Sequence, residues 1–286
     1  MNKERKDNQG IVLPPAFRIA IRILDFIHPY LSMRFAAFFF SKPFRYKFLE
    51  REVPVLIKAI KSSVKIKTLD KSILCYRWEG KGPKIILMHG WSGRATNFYK
   101  IIDELIKQDY DIYAFDAPAH GKSPGLSTNI PEFTLVLDYL VKLWGPFESM
   151  LGHSGGAFTS AYVCADHTEI KKLILISPFD RAIDLFDKYY NLIGLSEKAQ
   201  KLMLDYFSQK TNRKITEFSG AFSARSIEAK TLIIHDENDK EVDLSNSVTI
   251  KKNIKRGRLY ITKGLGHRRI LRDKKVIQEI ISFLTS

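Results

Sequence analysis

A serine set among glycines, with an aspartate and then a histidine far downstream, is where the chemistry of this sequence can be read. The run Gly152-His153-Ser154-Gly155-Gly156 has the form G-x-S-x-G. An apolar stretch, 147–151, precedes it, and a small-residue, helix-compatible stretch with Ala157, Ser160 and Ala161 follows. In that setting the glycines permit a strained strand-to-helix elbow that pushes a hydroxyl out of a sheet. A serine at its own pKa is a poor nucleophile, so it needs a base to take its proton and an acid to orient that base. Asp239 lies 85 residues on, in the loop after an apolar strand pattern, and His267 another 28 on, in Gly264-Leu265-Gly266-His267. Serine, acid, histidine is the chain order this elbow uses, and the second spacing fits one strand-helix-strand step. The chemistry expected is acyl transfer, with Ser154 as nucleophile, His267 as base and Asp239 orienting the imidazole.

With these residues in place the chain resembles the α/β-hydrolase family over about residues 64–284. Three further motifs carry the resemblance. His89-Gly90-Trp91-Ser92-Gly93 looks like the family's oxyanion loop, Asp116-Ala117-Pro118-Ala119-His120-Gly121-Lys122-Ser123 looks like its D-x-P-x-H-G-x-S loop, and Asp239 with Val242 matches its D-x-x-V. The resemblance implies a serine esterase or lipase that requires no cofactor, with an oxyanion hole made by the backbone N–H groups of Trp91 and Gly155. Loss of one such donor typically costs about 3 kcal/mol in the barrier. It also implies that His89, Asp116 and His120 serve loop geometry rather than a metal, and that His153 packs beside the nucleophile. The chain departs from the family at Asp236, where glycine often follows the histidine of the acid strand. That leaves open which acidic residue pairs with His267. Asp239 is favoured by its motif, and Asp180, just after 172–176, is the rival, since some members place their acid there.

These residues need a scaffold, and the sequence supplies one. Stretches 64–68 and 72–78 read as a hairpin around Leu69-Asp70, and apolar runs at 84–88, 111–115, 147–151, 172–176, 231–235 and 258–261 complete eight candidate strands. Helical patterns at 97–108, 130–143, 155–166, 244–254 and 273–284 alternate with them. The order predicts an eight-stranded, mostly parallel sheet with helices on both faces, and the resemblance implies that this is the α/β-hydrolase fold. The 54 residues between 176 and 231 exceed one crossover helix, so a small helical cap is expected at about 178–226, with a capped helix opening at Ser196-Glu197. The expected division is an N-terminal helical extension, 1–63, and a hydrolase domain, 64–286.

Within that extension, 11–48 carries Phe17, Ile19, Ile21, Ile23, Leu24, Phe26 and Ile27 with Arg18, Arg22 and Asp25 interspersed, then Pro29 and a second apolar stretch, 31–40. Two readings compete: the helices fold back on the protein, or they attach it peripherally to anionic bilayers. The 286 residues have a net charge of +15 and 45% hydrophobic content. Residues 1–63 and 249–286 carry nets of +7 and +9, and the middle is near neutral. Such a positive charge invites polyanions, but no zinc-finger spacing, RNP-type stretch or basic heptad accompanies it, so nucleic acid is not an expected partner. Two cysteines, Cys75 and Cys164, make no disulfide framework or zinc site. The first ten residues, although charged, are followed by a broken apolar run without a cleavage site, so a cytoplasmic location is expected, with peripheral membrane association through the extension as the alternative. The expected substrate is a small-molecule ester with a hydrophobic acyl or alcohol group. An amidase or peptidase with the same triad, or an inactive hydrolase-fold binding protein, are the other readings.

Overall fold

The computed structural model describes residues 14–286, so the reading of the first ten residues, and positions 11–13 of the amphipathic stretch, lie outside the described residues. The chain runs α1 (Pro15–Ile27), α2 (Pro29–Phe40), α3 (Val53–Lys58), β1 (Ile60–Ile66), β2 (Lys71–Trp78), β3 (Lys84–Met88), α4 (Tyr99–Lys107), β4 (Asp111–Phe115), α5 (Ile130–Trp144), β5 (Ser149–His153) and α6 (Gly155–Asp166). It continues through β6 (Lys172–Ile176), α7 (Ala182–Ile193), α8 (Glu197–Thr211), α9 (Gly220–Ala224), β7 (Lys230–Asp236), α10 (Leu244–Asn253), β8 (Gly257–Thr262), α11 (Gly266–Arg269) and α12 (Lys274–Thr285). Local chemistry sets several starts. Asn129 accepts from the N–H of Glu132 to open α5, Ser196 from Ala199 to open α8, and Asp273 from Lys275 and Val276 to open α12.

The eight strands form one sheet in the order β1-β2-β4-β3-β5-β6-β7-β8. β1 and β2 are antiparallel to their neighbours, and every pairing from β4 through β8 is parallel. The central strands are apolar almost throughout because helices cover both faces. On one face α5, α6, α9 and α10 bring Phe133, Leu137, Ala161, Ala224 and Ile250 into one core with Met88, Phe115 and Leu175. On the other, α4 and α12 bring Ile101, Leu105, Val276 and Ile280 onto Leu87, Leu151 and Ile234. The chain leaves β3 toward β4 and later crosses to β5 on the other side. The crevice beyond the carboxyl ends of β3 and β5 is therefore the topological switch point where such sheets bind ligands.

Two strands differ from the sequence expectation. β1 begins at Ile60, inside the stretch assigned to the extension, because Ile60 to Ser63 pair with Arg77 to Leu74. β5 lies two residues later than 147–151. Gly152 and His153, poor strand formers by type, are carried in the ladder by pairing with Leu175 and Ile176, while Phe147 is buried before the strand starts.

The chain forms two compact units. The sheet unit comprises Phe44–Asp180 and Gly220–Ser286; in the described residues the other comprises 14–43 and Arg181–Ser219. This second unit is helical. α1 and α2 pack with α7 and α8 around Ile21, Met33, Ala36, Phe186, Met203 and Phe207. The Phe40 ring lies against Phe186 and Tyr189, and the Asp25 carboxylate accepts from both Ser32 and Ser196 hydroxyls. The N-terminal helices thus share a core with the helices inserted between β6 and β7.

Candidate active site

Ser154 directly follows β5, with φ 55° and ψ −121°. This is a left-handed conformation that costs a non-glycine residue on the order of 1–3 kcal/mol. The surroundings enforce it. The Ser154 N–H donates to the Ile176 carbonyl at 2.9 Å, which extends the strand, while its own carbonyl accepts from Phe158 at 3.1 Å, which begins α6. The sharp reversal brings the start of α6 against β3, and a Cβ on Gly156 would collide with the carbonyl oxygens of Met88 and His89. Gly90 is equally confined, since a Cβ there would stand 2.9 Å from the Ser154 Cβ.

Asp239 and His267 meet at the ends of β7 and β8. The His267 Nδ1–H donates to Asp239 Oδ2 at 2.7 Å. Asp239 Oδ1 accepts from the N–H groups of Glu241 and Val242 at 2.8 and 3.0 Å, so the carboxylate is fixed on both oxygens. Burial raises the pKa of Asp239, but the hydrogen bond and charge of His267, with the two backbone donors, outweigh it and hold the group at about 2. With Nδ1 committed as a donor, Nε2 of a neutral His267 is left as the basic nitrogen. His153 holds the same residue by its backbone. Its Nε2–H donates to the His267 carbonyl at 2.8 Å, and the two rings lie 4.7 Å apart. Burial, then the charge of His267, keeps His153 well below the usual histidine pKa, hence neutral.

Trp91 follows β3, and its backbone nitrogen lies 3.7 Å from where a Cβ on Gly155 would stand. Neither the Trp91 nor the Gly155 N–H donates to a protein acceptor among the described residues. The Trp91 indole stacks on Phe133 at 5.9 Å and meets His120 edge-on. A hydroxyl on a strained elbow, an oriented imidazole and two open backbone donors are the kinds of group that acyl transfer uses.

The remaining candidates have structural occupations. His89 donates from Nδ1 to the Gly90 carbonyl and accepts at Nε2 from Ala117 N–H; His120 donates to the Pro118 carbonyl and accepts from Ser92 N–H. Burial lowers these histidines to about 4 and about 3, respectively. Asp116 accepts from the N–H groups of Ala95 and Lys122 and from the Tyr76 hydroxyl. Asp180 accepts from the N–H of Ala221, while the Nδ1 partner of His267 is Asp239. Burial pushes both buried thiols, Cys75 and Cys164, up to about 12, which keeps them protonated.

Three roles were not assigned by the sequence reading. Asp236 accepts from the Asn238 and Leu265 N–H groups and the Thr262 hydroxyl, tying the end of β7 to the loop that carries His267. Its departure from the usual glycine was the available signal. His235 Nε2 lies 3.5 Å from Asp239 Oδ2, and Glu241 Oε2 lies 3.9 Å from His267 Nε2 while Glu241 Oε1 accepts from Arg268. Neither proximity has a motif.

A family model described as serine aminopeptidase, S33, matches residues 82–219. A human serine hydrolase-like protein is 31% identical over 103 residues, 34% of this chain and 50% of that protein. The pimeloyl-[acyl-carrier protein] methyl ester esterase of Chromobacterium violaceum is 27% identical over 107 residues, 36% and 40% of the two chains. The chain spans half or less of the length of the curated relatives it matches. Among solved structures, the Pyrococcus furiosus esterase Pf2001 aligns with a TM-score of 0.66 at 18% identity, over 85% of this chain and 98% of that one. Sheet order and the solved structures agree on an α/β-hydrolase fold, and within it the matched segment of this chain is similar to serine hydrolases.

Proposed function

We propose that this protein hydrolyses carboxylic esters through Ser154, His267 and Asp239. The observation that carries the reading is the 2.7 Å bond from His267 Nδ1 to Asp239, which commits one ring nitrogen and leaves the other basic, on a residue that is itself bonded to His153, the neighbour of the elbow serine. Ser154 Oγ attacks the acyl carbon while His267 Nε2 takes its proton. The carbonyl oxygen becomes an oxyanion facing the Trp91 and Gly155 N–H groups. Collapse expels the alcohol, which takes its proton from the imidazolium, and leaves an acyl-serine. Water, deprotonated by His267, then releases the acid and restores the hydroxyl. Asp239, held ionised at about 2, keeps the Nδ1–H tautomer and stabilises the imidazolium formed in each half-reaction. No step calls for a cofactor.

A hydrophobic acyl or alcohol group is the substrate class proposed, and the ester named for the Chromobacterium relative supports an ester over other acyl bonds. The description of the matching family, an aminopeptidase, favours an amide as the second reading. Hydrolysis of p-nitrophenyl esters of increasing acyl length, beside matched p-nitroanilides, by the wild type and Ser154→Ala tests both. Ester turnover lost in the variant is the expected result. Anilide turnover alone would select the amidase, and no turnover above the variant on either would leave a binding protein.

A further inference from the structure

Helix α1 is apolar on two sides. One side, with Ile21 fully buried and Phe17 and Leu24 partly so, faces the core shared with α2, α7 and α8. The other presents Ile19, Ile23, Phe26 and Ile27, a one-sided helical spacing, at exposures of 56, 56, 94 and 63%. Just past the turn at His28-Pro29, α2 adds exposed Tyr30 and Leu31. Isolated exposed apolar residues are ordinary, but a contiguous row of this size marks an interaction surface.

Its border is cationic. Arg18 and Arg22, both exposed, each precede an isoleucine of the row, and Arg34 is exposed on α2. At the turn that follows Phe26 and Ile27, an open cleft of about 500 Å³ is lined by His28, Pro29, Lys198, Lys201, Leu202 and Asp205. In the described residues this helical unit carries eleven Lys and Arg against six Asp and Glu. Among those residues no helix is long and apolar enough to cross a membrane. Large apolar side chains that project outward, bordered by fixed positive charge on a helix lying along the protein, are the composition of a helix seated in a lipid interface.

We propose that the exposed row of α1 docks this protein on the surface of an anionic phospholipid bilayer. Phe26, Ile23 and Ile27 enter the acyl boundary, and Arg18, Arg22, Lys198 and Lys201 meet headgroup phosphates. A protein partner is disfavoured by the same features, since the row projects rather than forming a groove and cations outnumber Asp205 along its border. The inference does not depend on the catalytic reading, because its readout is binding.

Flotation of the full chain with phosphatidylcholine vesicles, with and without added phosphatidylglycerol, tests it. The wild type should float with the anionic vesicles and be released by high salt. Phe26→Glu should lower the floated fraction at least about tenfold, and Lys198→Glu with Lys201→Glu should lower it severalfold without touching the apolar row. Phe26 is so exposed that its replacement leaves the core intact, and the lysine pair gives a reading independent of it. No flotation with anionic vesicles, equal flotation with both kinds, or flotation indifferent to Phe26→Glu would overturn the proposal. A wild-type dimer that Phe26→Glu converts to monomer, without vesicle binding, would assign the row to a second copy of the chain instead.

Discussion

The main-chain carbonyl of His267 accepts a hydrogen bond at 2.8 Å from the imidazole of His153, the residue immediately before the elbow serine. The two residues are 114 apart in sequence, and the bond ties the proposed base to the strand that presents the proposed nucleophile. His153→Ala should lower kcat roughly ten- to a hundredfold with KM little changed, because what is lost is alignment rather than substrate contact. His153→Gln, which keeps an N–H donor, should recover part of the loss. Steady-state kinetics of the pair on a p-nitrophenyl ester checks this, and equal kcat in all three proteins would remove His153 from any positioning role.

The strained backbone at Ser154 sets up a trade between stability and activity. Ser154→Gly and Ser154→Ala should both abolish turnover. Only glycine relieves the positive φ, so it should be the more stable variant by about 1 kcal/mol. Urea midpoints of the two variants measure the difference.

Four buried histidines, His89, His120, His153 and His235, have pKa values lowered by burial. In the unfolded chain each titrates near 6.5. Below that pH the unfolded state takes up protons that the folded state refuses, so stability falls as pH drops from about 6.5 toward the folded values, near 4 for His89 and near 3 for His120. His167 acts oppositely: despite burial, bonds to Asp138 and Glu169 raise its pKa, so its contribution is present below 6.5 and lost as pH rises through the folded value. Four against one, Tm should decline by at least roughly 5 °C from pH 7 to pH 5. A Tm constant over that interval would contradict the assignment.

Asp236 should matter to the base-bearing loop without touching the reaction. Replacement by glycine deletes three hydrogen bonds, from Asn238, Thr262 and Leu265, at a cost of about 2–3 kcal/mol. Chemical denaturation should show that loss, and kcat should fall with it. Thr262→Val, which removes one of the three, should lie between.

Much of this architecture is visible in the sequence because its signals are local. Ser154, Asp239 and His267 each follow an apolar run and sit in a short motif, and the strands at 84–88, 111–115 and 172–176 coincide with β3, β4 and β6. β5 was misplaced because Gly152 and His153 owe their strand geometry to β6, and type alone does not reveal a neighbour. The partner of His153 is a carbonyl, which every residue possesses, so no pattern of side chains points to it. The packing of α1 is hidden for a related reason. Its two apolar sides look alike in sequence, and only the tertiary structure separates the side with Ile21 inside from the side with Phe26 outside.

The helical unit is assembled from 14–43 and Arg181–Ser219, two pieces of chain with the first six strands between them. On a ribosome adding ~5–20 residues per second, α1 and α2 wait on the order of ten seconds or more before α7 and α8 exist to receive them. Throughout that interval Ile21, Met33, Ala36 and the phenylalanines of α2 lack the cover that α7 and α8 supply. These two helices are thus made long before the partners that complete their core, and in that interval the nascent chain offers their apolar sides to chaperones or to aggregation.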